Sequence, residues 1–162
     1  MLKKKWNLTA DELANYDLIS RYPWLKIRNR WTDDPDESQF EFTELDAMPP
    51  GWRAAFGEQM CEEIQKLLEE ADYVYQYRII QIKEKYGRLC WYDSRVPEKI
   101  RERMNQVIRK YEDLSEVTCI ECGKPAIKVS LNWISPWCEE CSANIGDDFM
   151  PIEDWRKKWS NT

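Results

Sequence analysis

The chain contains no histidine, and that absence removes several kinds of chemistry. Ser-His-Asp and Cys-His catalysis, a histidine-ligated catalytic metal and a histidine pH switch are all excluded within this chain. Long apolar runs are missing too: no stretch approaches the ~20 residues that span a bilayer. The basic start Met1-Leu2-Lys3-Lys4-Lys5-Trp6 has no apolar segment behind it, so no secretory signal is read there. The expectation is an intracellular, cytoplasmic and reducing setting without membrane attachment. In that setting paired Cys-x2-Cys motifs hold metal more often than they form disulfides.

Those motifs are present. Cys119-Ile120-Glu121-Cys122-Gly123 is followed, after the fifteen residues 123–137, by Cys138-Glu139-Glu140-Cys141. The spacing suits one tetrahedral zinc held by Cys119, Cys122, Cys138 and Cys141. Gly123 lets the backbone fold beneath the metal so that amides point at the sulfurs. A thioredoxin-type dithiol would need a βαβ context that the sequence lacks. An iron–sulfur cluster fits the regular two-pair spacing and knuckle glycine less well. Four thiolates fill a tetrahedron, so the zinc is expected to be structural.

With 43% hydrophobic and 13% aromatic residues the chain can build a core, which argues for folding over disorder. Nine tryptophans are many for 162 residues, and tryptophan also anchors interfaces. The net charge of −6 is unevenly spread: residues 32–75 carry thirteen acidic and two basic groups, residues 76–110 ten basic and four acidic. Segments of opposite sign can neutralise one another in the fold, or leave a basic face for phosphate.

The expected fold class is α+β, with helices on a small antiparallel sheet or hairpin and a treble-clef or zinc-ribbon element. The divisions are a body at 1–118, a zinc-binding element at 119–145 and a tail at 146–162. Thr9 and Glu12 form a capping box for a helix from about Ala10 to Ser20. Trp24 to Trp31 alternates and predicts a short strand or extended arm, and Phe40 to Leu45 alternates again. Trp52, Phe56, Met60, Ile64, Leu67, Leu68 and Ala71 recur at helical spacing from Gly51 to about Asp72. Val74–Lys83 and Arg88–Tyr92 predict a hairpin turning at Gly87. Pro97 opens a helix to about Val117, and a second hairpin turns around Asn132. Ser142 to Ile145 reads as a first helical turn. In the tail, Trp155 and Trp159 share a helix face, expected to dock on the body in preference to serving as an interaction peptide.

Four further groups of residues stand out. Lys83, Lys85, Arg88, Arg101 and Arg103 lie on the basic hairpin and helix and are candidates for nucleic-acid binding. Glu58 and Glu62, with Glu63, are candidates for a metal-dependent hydrolase, which would need a second, open metal site. Asp33, Asp34, Asp36 and Glu37 read as a solvated acidic loop without the ligand spacing of an EF-hand. Cys61 and Cys90 read as small buried hydrophobes, since no histidine activates them.

A resemblance adds to this reading. Gln81-Ile82-Lys83-Glu84-Lys85-Tyr86-Gly87-Arg88-Leu89, then Trp91-Tyr92, resembles the Q-x-K-E-K-[FY]-G-x-L-x-[FW]-Y stretch of a family of small bacterial and phage proteins. The family's Gly-Trp-opened helix corresponds to Gly51-Trp52, and its knuckle and later segment to Cys119, Cys122, Trp133 and Cys138. The similarity covers roughly residues 40–145 in the same order. Its members often close the site with a Cys and a His; here Cys141 stands there, which changes a ligand and keeps the site. The resemblance implies a bacterial or phage source and a zinc site, and supplies no catalytic residue. The expected function is a zinc-stabilised, non-enzymatic binding or regulatory protein acting through a macromolecular partner. A protein partner is favoured over nucleic acid by the acidic balance.

Overall fold

The computed structural model describes residues 7–36 and 40–160. Glu37 of the acidic loop and the first six residues lie outside them. Helix α1 (Ala10–Arg21) opens as expected: the Glu12 amide donates to Thr9 Oγ1 at 3.2 Å, and the Thr9 amide donates to the Glu12 carboxylate at 2.9 Å. It ends at Tyr22, because the residue before a proline is pushed out of the helical region.

The alternation of Trp24 to Trp31 does not produce a strand. Pro23–Leu25 make a tight 3-10 turn that buries Trp24 and Leu25. Proline's fixed φ favours such a turn, and the core captures Trp24. Its Nε1 donates to Gln65 Oε1 at 2.9 Å, and its ring meets Tyr77 and Trp91 at 5.5 and 6.0 Å. The extended trace that survives is a single bridge, Arg28 to Pro35. Phe40 to Leu45 likewise becomes a turn leading into a 3-10 turn at Glu44–Ala47 with Leu45 buried.

The central helix comes in three joined pieces: α2 (Pro50–Trp52), a π-helical turn at Arg53–Gly57, and α3 (Glu58–Glu70). Pro50 sits at the first helical position, where its missing N–H costs nothing. The expected stripe from Trp52 to Ala71 is buried throughout. Tyr86 and Gly87, at φ 51° and 78°, turn the chain between β1 (Arg78–Lys85) and β2 (Arg88–Ser94). Positive φ at both central residues is the tight hairpin turn that matches strand twist. The first strand begins at Arg78 instead of Val74, with a bulge between Ile79 and Gln81.

Helix α4 (Arg101–Ser115) follows a 3-10 turn at Glu98–Ile100. Ile100, Met104, Ile108 and Tyr111 are buried, while Leu114 at the end of the stripe is exposed. The helix covers the free edge of β2: the Leu89 amide donates to Ser115 Oγ at 2.8 Å, and the Trp91 amide to Glu112 Oε1 at 3.2 Å. Edge amides that would otherwise recruit another strand are thereby satisfied. One core cluster runs from Leu18 to Tyr111.

Past α4 comes a second, three-stranded antiparallel sheet in the order β4-β3-β5, from β3 (Lys128–Ser130), β4 (Ser135–Trp137) and β5 (Phe149–Pro151). The β3–β4 hairpin spans Asn132 as expected; β5 is an addition from the tail. Helix α5 (Glu139–Ser142) begins three residues earlier than Ser142, with Cys138 as its cap, and α6 (Ile152–Ser160) closes the described chain. The fold class is α+β. Among the described residues no helix is long and apolar enough to cross a membrane.

Candidate metal centre

The knuckle is made by short backbone bonds. The Cys119 amide donates to the Lys124 carbonyl at 2.8 Å, and the Gly123 amide to the Cys119 carbonyl at 3.0 Å. Gly123 adopts φ 79°, a conformation that side chains with a Cβ rarely take. The other pair sits at a helix start. Cys138 is extended (φ −80°, ψ 169°) and caps α5, its Sγ accepting from the Cys141 amide at 3.4 Å. Knuckle, hairpin and helix N-terminus, in that order, make the treble-clef arrangement expected of the zinc-ribbon-like element.

The fold brings all four sulfurs together, within 4.8 Å of one another. Cys122 Sγ and Cys138 Sγ are 3.6 Å apart, far from the ~2.05 Å of a disulfide. A tetrahedral ion with metal–sulfur bonds of about 2.3 Å has sulfur–sulfur edges of about 3.8 Å, so the four-cysteine group can hold a metal ion. Cys119 and Cys138 are buried, Cys141 is half-buried and Cys122 is exposed. The cluster thus has an inner side against the protein and an outer side at the surface. The Cys141 amide, together with the neighbouring sulfurs, draws the Cys138 thiol down to about 7. The Lys124 amide also lowers the Cys122 thiol, but burial and hydrogen bonding with the Cys138 and Cys119 sulfurs leave that thiol raised overall. Amide N–H groups aimed at sulfur favour the thiolate form that a metal needs.

The cluster is fastened to the body. The Gly51 amide donates to the Ile120 carbonyl at 2.9 Å, and the indole of buried Trp52 donates to the Thr118 carbonyl at 2.9 Å. A Cβ on Gly51 would lie 2.2 Å from the Cys119 carbonyl oxygen. The start of the central helix therefore touches the backbone of one of the four clustered cysteines. Nothing in the cysteine spacing revealed this contact.

Lys83, Lys85 and Arg88 share the β1–β2 hairpin, and Arg101 and Arg103 share the start of α4. Arg88 is held by Glu112, Asp113 and Glu116; Arg101 pairs with Glu98 and Arg103 with Glu70. Lys83 lies 5.2 Å over the Tyr92 ring and Lys85 5.8 Å over the Tyr86 ring. The acidic candidates are also engaged: Glu58 with Arg21, Glu62 with Lys66, Glu63 with Lys110 and the Tyr111 hydroxyl. Among the described residues the four cysteines are the one group placed to hold a metal.

The acidic loop is less open than its sequence suggests. Asp33 accepts two hydrogen bonds from Arg78, both at 2.9 Å, and one from Arg95 at 3.1 Å. Hydrogen bonds from Arg78 hold its carboxyl well below the ordinary range. Cys61 is fully buried, and burial pushes its thiol up to about 12; Cys90 is half-buried. No protein-family model, curated protein or solved structure matches the chain.

Proposed function

We propose that this chain is a zinc-stabilised, non-enzymatic binding or regulatory protein of the bacterial cytoplasm, encoded by a bacterium or a phage, that acts through a macromolecular partner. The observation carrying this reading is the closed cluster of four sulfurs fastened to the start of the central helix. Zinc is the metal favoured by four thiolates in tetrahedral reach. With every coordination position taken by sulfur, the ion holds a surface in shape and offers no site to water. Large aromatic groups remain on that surface, including Trp31, Tyr86, Trp133 and Trp159. The resemblance carried by Gln81–Tyr92 and the cysteine knuckle supports the bacterial or phage setting.

A protein partner is favoured over nucleic acid, since three of the five basic candidates already meet carboxylates. Lys83 and Lys85 keep the nucleic-acid reading in view. The two are separated by affinity capture from bacterial lysate, with and without nuclease. A specific protein retained after nuclease treatment is expected; recovery of nucleic acid alone, with affinity that falls steeply with salt, favours the second reading. Recovery of neither overturns the binding reading.

A further inference from the structure

We propose that the groove between the β1–β2 turn and α6 docks an acidic peptide segment of a partner protein through a large apolar side chain. This deepens the binding reading above and rests on it. The groove encloses about 1090 Å³, more than enough for several side chains. Its floor is aliphatic, with Val129, Ile134, Pro136 and Ile152. Its walls are aromatic: Tyr86 at the hairpin turn on one side, Trp155 and Trp159 on the other.

The walls are built. Gly87 packs so near the second hairpin that a Cβ there would lie 3.3 Å from the Ile134 carbonyl oxygen. Helix α6 is pinned at its start, where the amide of buried Ile152 donates to the Ile127 carbonyl at 3.1 Å. The Trp155 and Trp159 rings meet edge to face at 5.5 Å.

Charge selects the occupant. The chain has 30 acidic and 24 basic groups, yet the groove's lining carries three cations, Lys85, Arg88 and Arg156, against one carboxylate, Glu116, which Arg88 pairs. Lys85 and Arg156, which both line the groove, form no ion pair among the described residues. Cations left uncompensated beside an apolar slot complement a segment in which Asp or Glu flanks a Leu, Phe or Trp. The chain's own Lys3-Lys4-Lys5 segment has the wrong sign. A nucleobase on this aliphatic floor would bury hydrogen-bonding edges without partners, which is unfavourable.

The test is a peptide-display selection on the full-length, zinc-loaded chain. Selected peptides are then titrated by fluorescence anisotropy against the wild type, Trp159→Ala, and the charge reversal Lys85→Glu/Arg156→Glu. All these substitutions are at the groove lip and outside the core, and zinc content and thermal melts confirm folding. The expected result is enrichment of peptides with acidic residues around one large apolar residue, binding at least tenfold weaker to both variants. Peptides without acidic bias, or ones that the variants bind as tightly as the wild type does, overturn the groove while leaving the general binding reading standing. Failure to select any peptide also overturns it, and the binding reading is then judged by the lysate capture. A dT20 oligonucleotide that binds where acidic peptides do not, or concentration-dependent self-association lost in the variants, assigns the groove to nucleic acid or to a second copy and overturns the proposal.

Discussion

Gly51 and Gly123 meet backbone to backbone. A Cβ on Gly51 would sit 2.7 Å from the Gly123 nitrogen, and one on Gly123 would sit 2.6 Å from the Gly51 carbonyl oxygen. One glycine starts the central helix and the other closes the metal knuckle. Their contact lets the cluster and the hydrophobic core share one boundary, and several consequences can be measured.

Gly51→Ala places its methyl against three backbone atoms that cannot rotate away. Overpacking against rigid backbone destabilises by about 3 kcal/mol, and here it also shifts Cys119. Urea denaturation of the zinc-loaded chain is expected to show that loss, and chelator competition a weaker metal affinity. Gly146→Ala is the control: nothing lies within 4 Å of its added Cβ, so the change stays within about 0.5 kcal/mol.

The cysteines divide into two groups. Cys119→Ser, Cys122→Ser, Cys138→Ser or Cys141→Ser removes a soft ligand and is expected to lower bound zinc below one ion per chain under mild chelation. Cys61→Ala leaves stoichiometry intact. It empties a small volume in the core beside the central stripe and costs about 1–2 kcal/mol. Metal analysis and thermal melts on the same samples check both outcomes.

Ser115 is fully buried at the end of α4, where its Oγ accepts from the Leu89 amide at 2.8 Å and donates to the Glu112 carbonyl at 2.6 Å. Ser115→Ala leaves the Leu89 amide buried without a partner. Such a group costs about 1–3 kcal/mol, read as a lower urea midpoint. Faster amide exchange at Leu89 would locate the loss.

Asp33 gives a pH signature. Arg78 and then Arg95 lower its folded pKa, so its contribution to stability is present above the ordinary carboxylate range. It is lost as pH falls below about 4, toward the depressed folded value. Asp33→Asn keeps a residue type that tolerates φ 62° and removes the charge. The variant is expected to melt lower at neutral pH, with the gap closing on acidification. A gap that stays constant down to pH 2 contradicts the ion-pair account.

The cysteine cluster was legible because its signal is local: four residue types at fixed spacing, with a glycine where the turn demands one. The central stripe and the β1–β2 hairpin were legible for the same reason, through helical periodicity and the Tyr86-Gly87 turn. Trp24 to Trp31 misled because alternation in a short segment records only that apolar residues recur. The partners that captured Trp24, namely Gln65, Tyr77 and Trp91, are distant in sequence. Strand β5 was hidden similarly, since its three residues form a strand only by pairing with β3. The basic candidates looked like a surface in composition, yet the carboxylates that engage Arg88 and Arg103 come from other elements. The Gly51–Gly123 contact belongs to this long-range class as well.

The central claim is that four thiolates close a single zinc site. X-ray absorption spectroscopy at the zinc edge of the purified full-length chain tests it directly. The account predicts one zinc per chain with four sulfur neighbours at about 2.3 Å and no oxygen or nitrogen in the shell. A shell containing oxygen or nitrogen at about 2.0–2.1 Å, or iron in place of zinc, would contradict it.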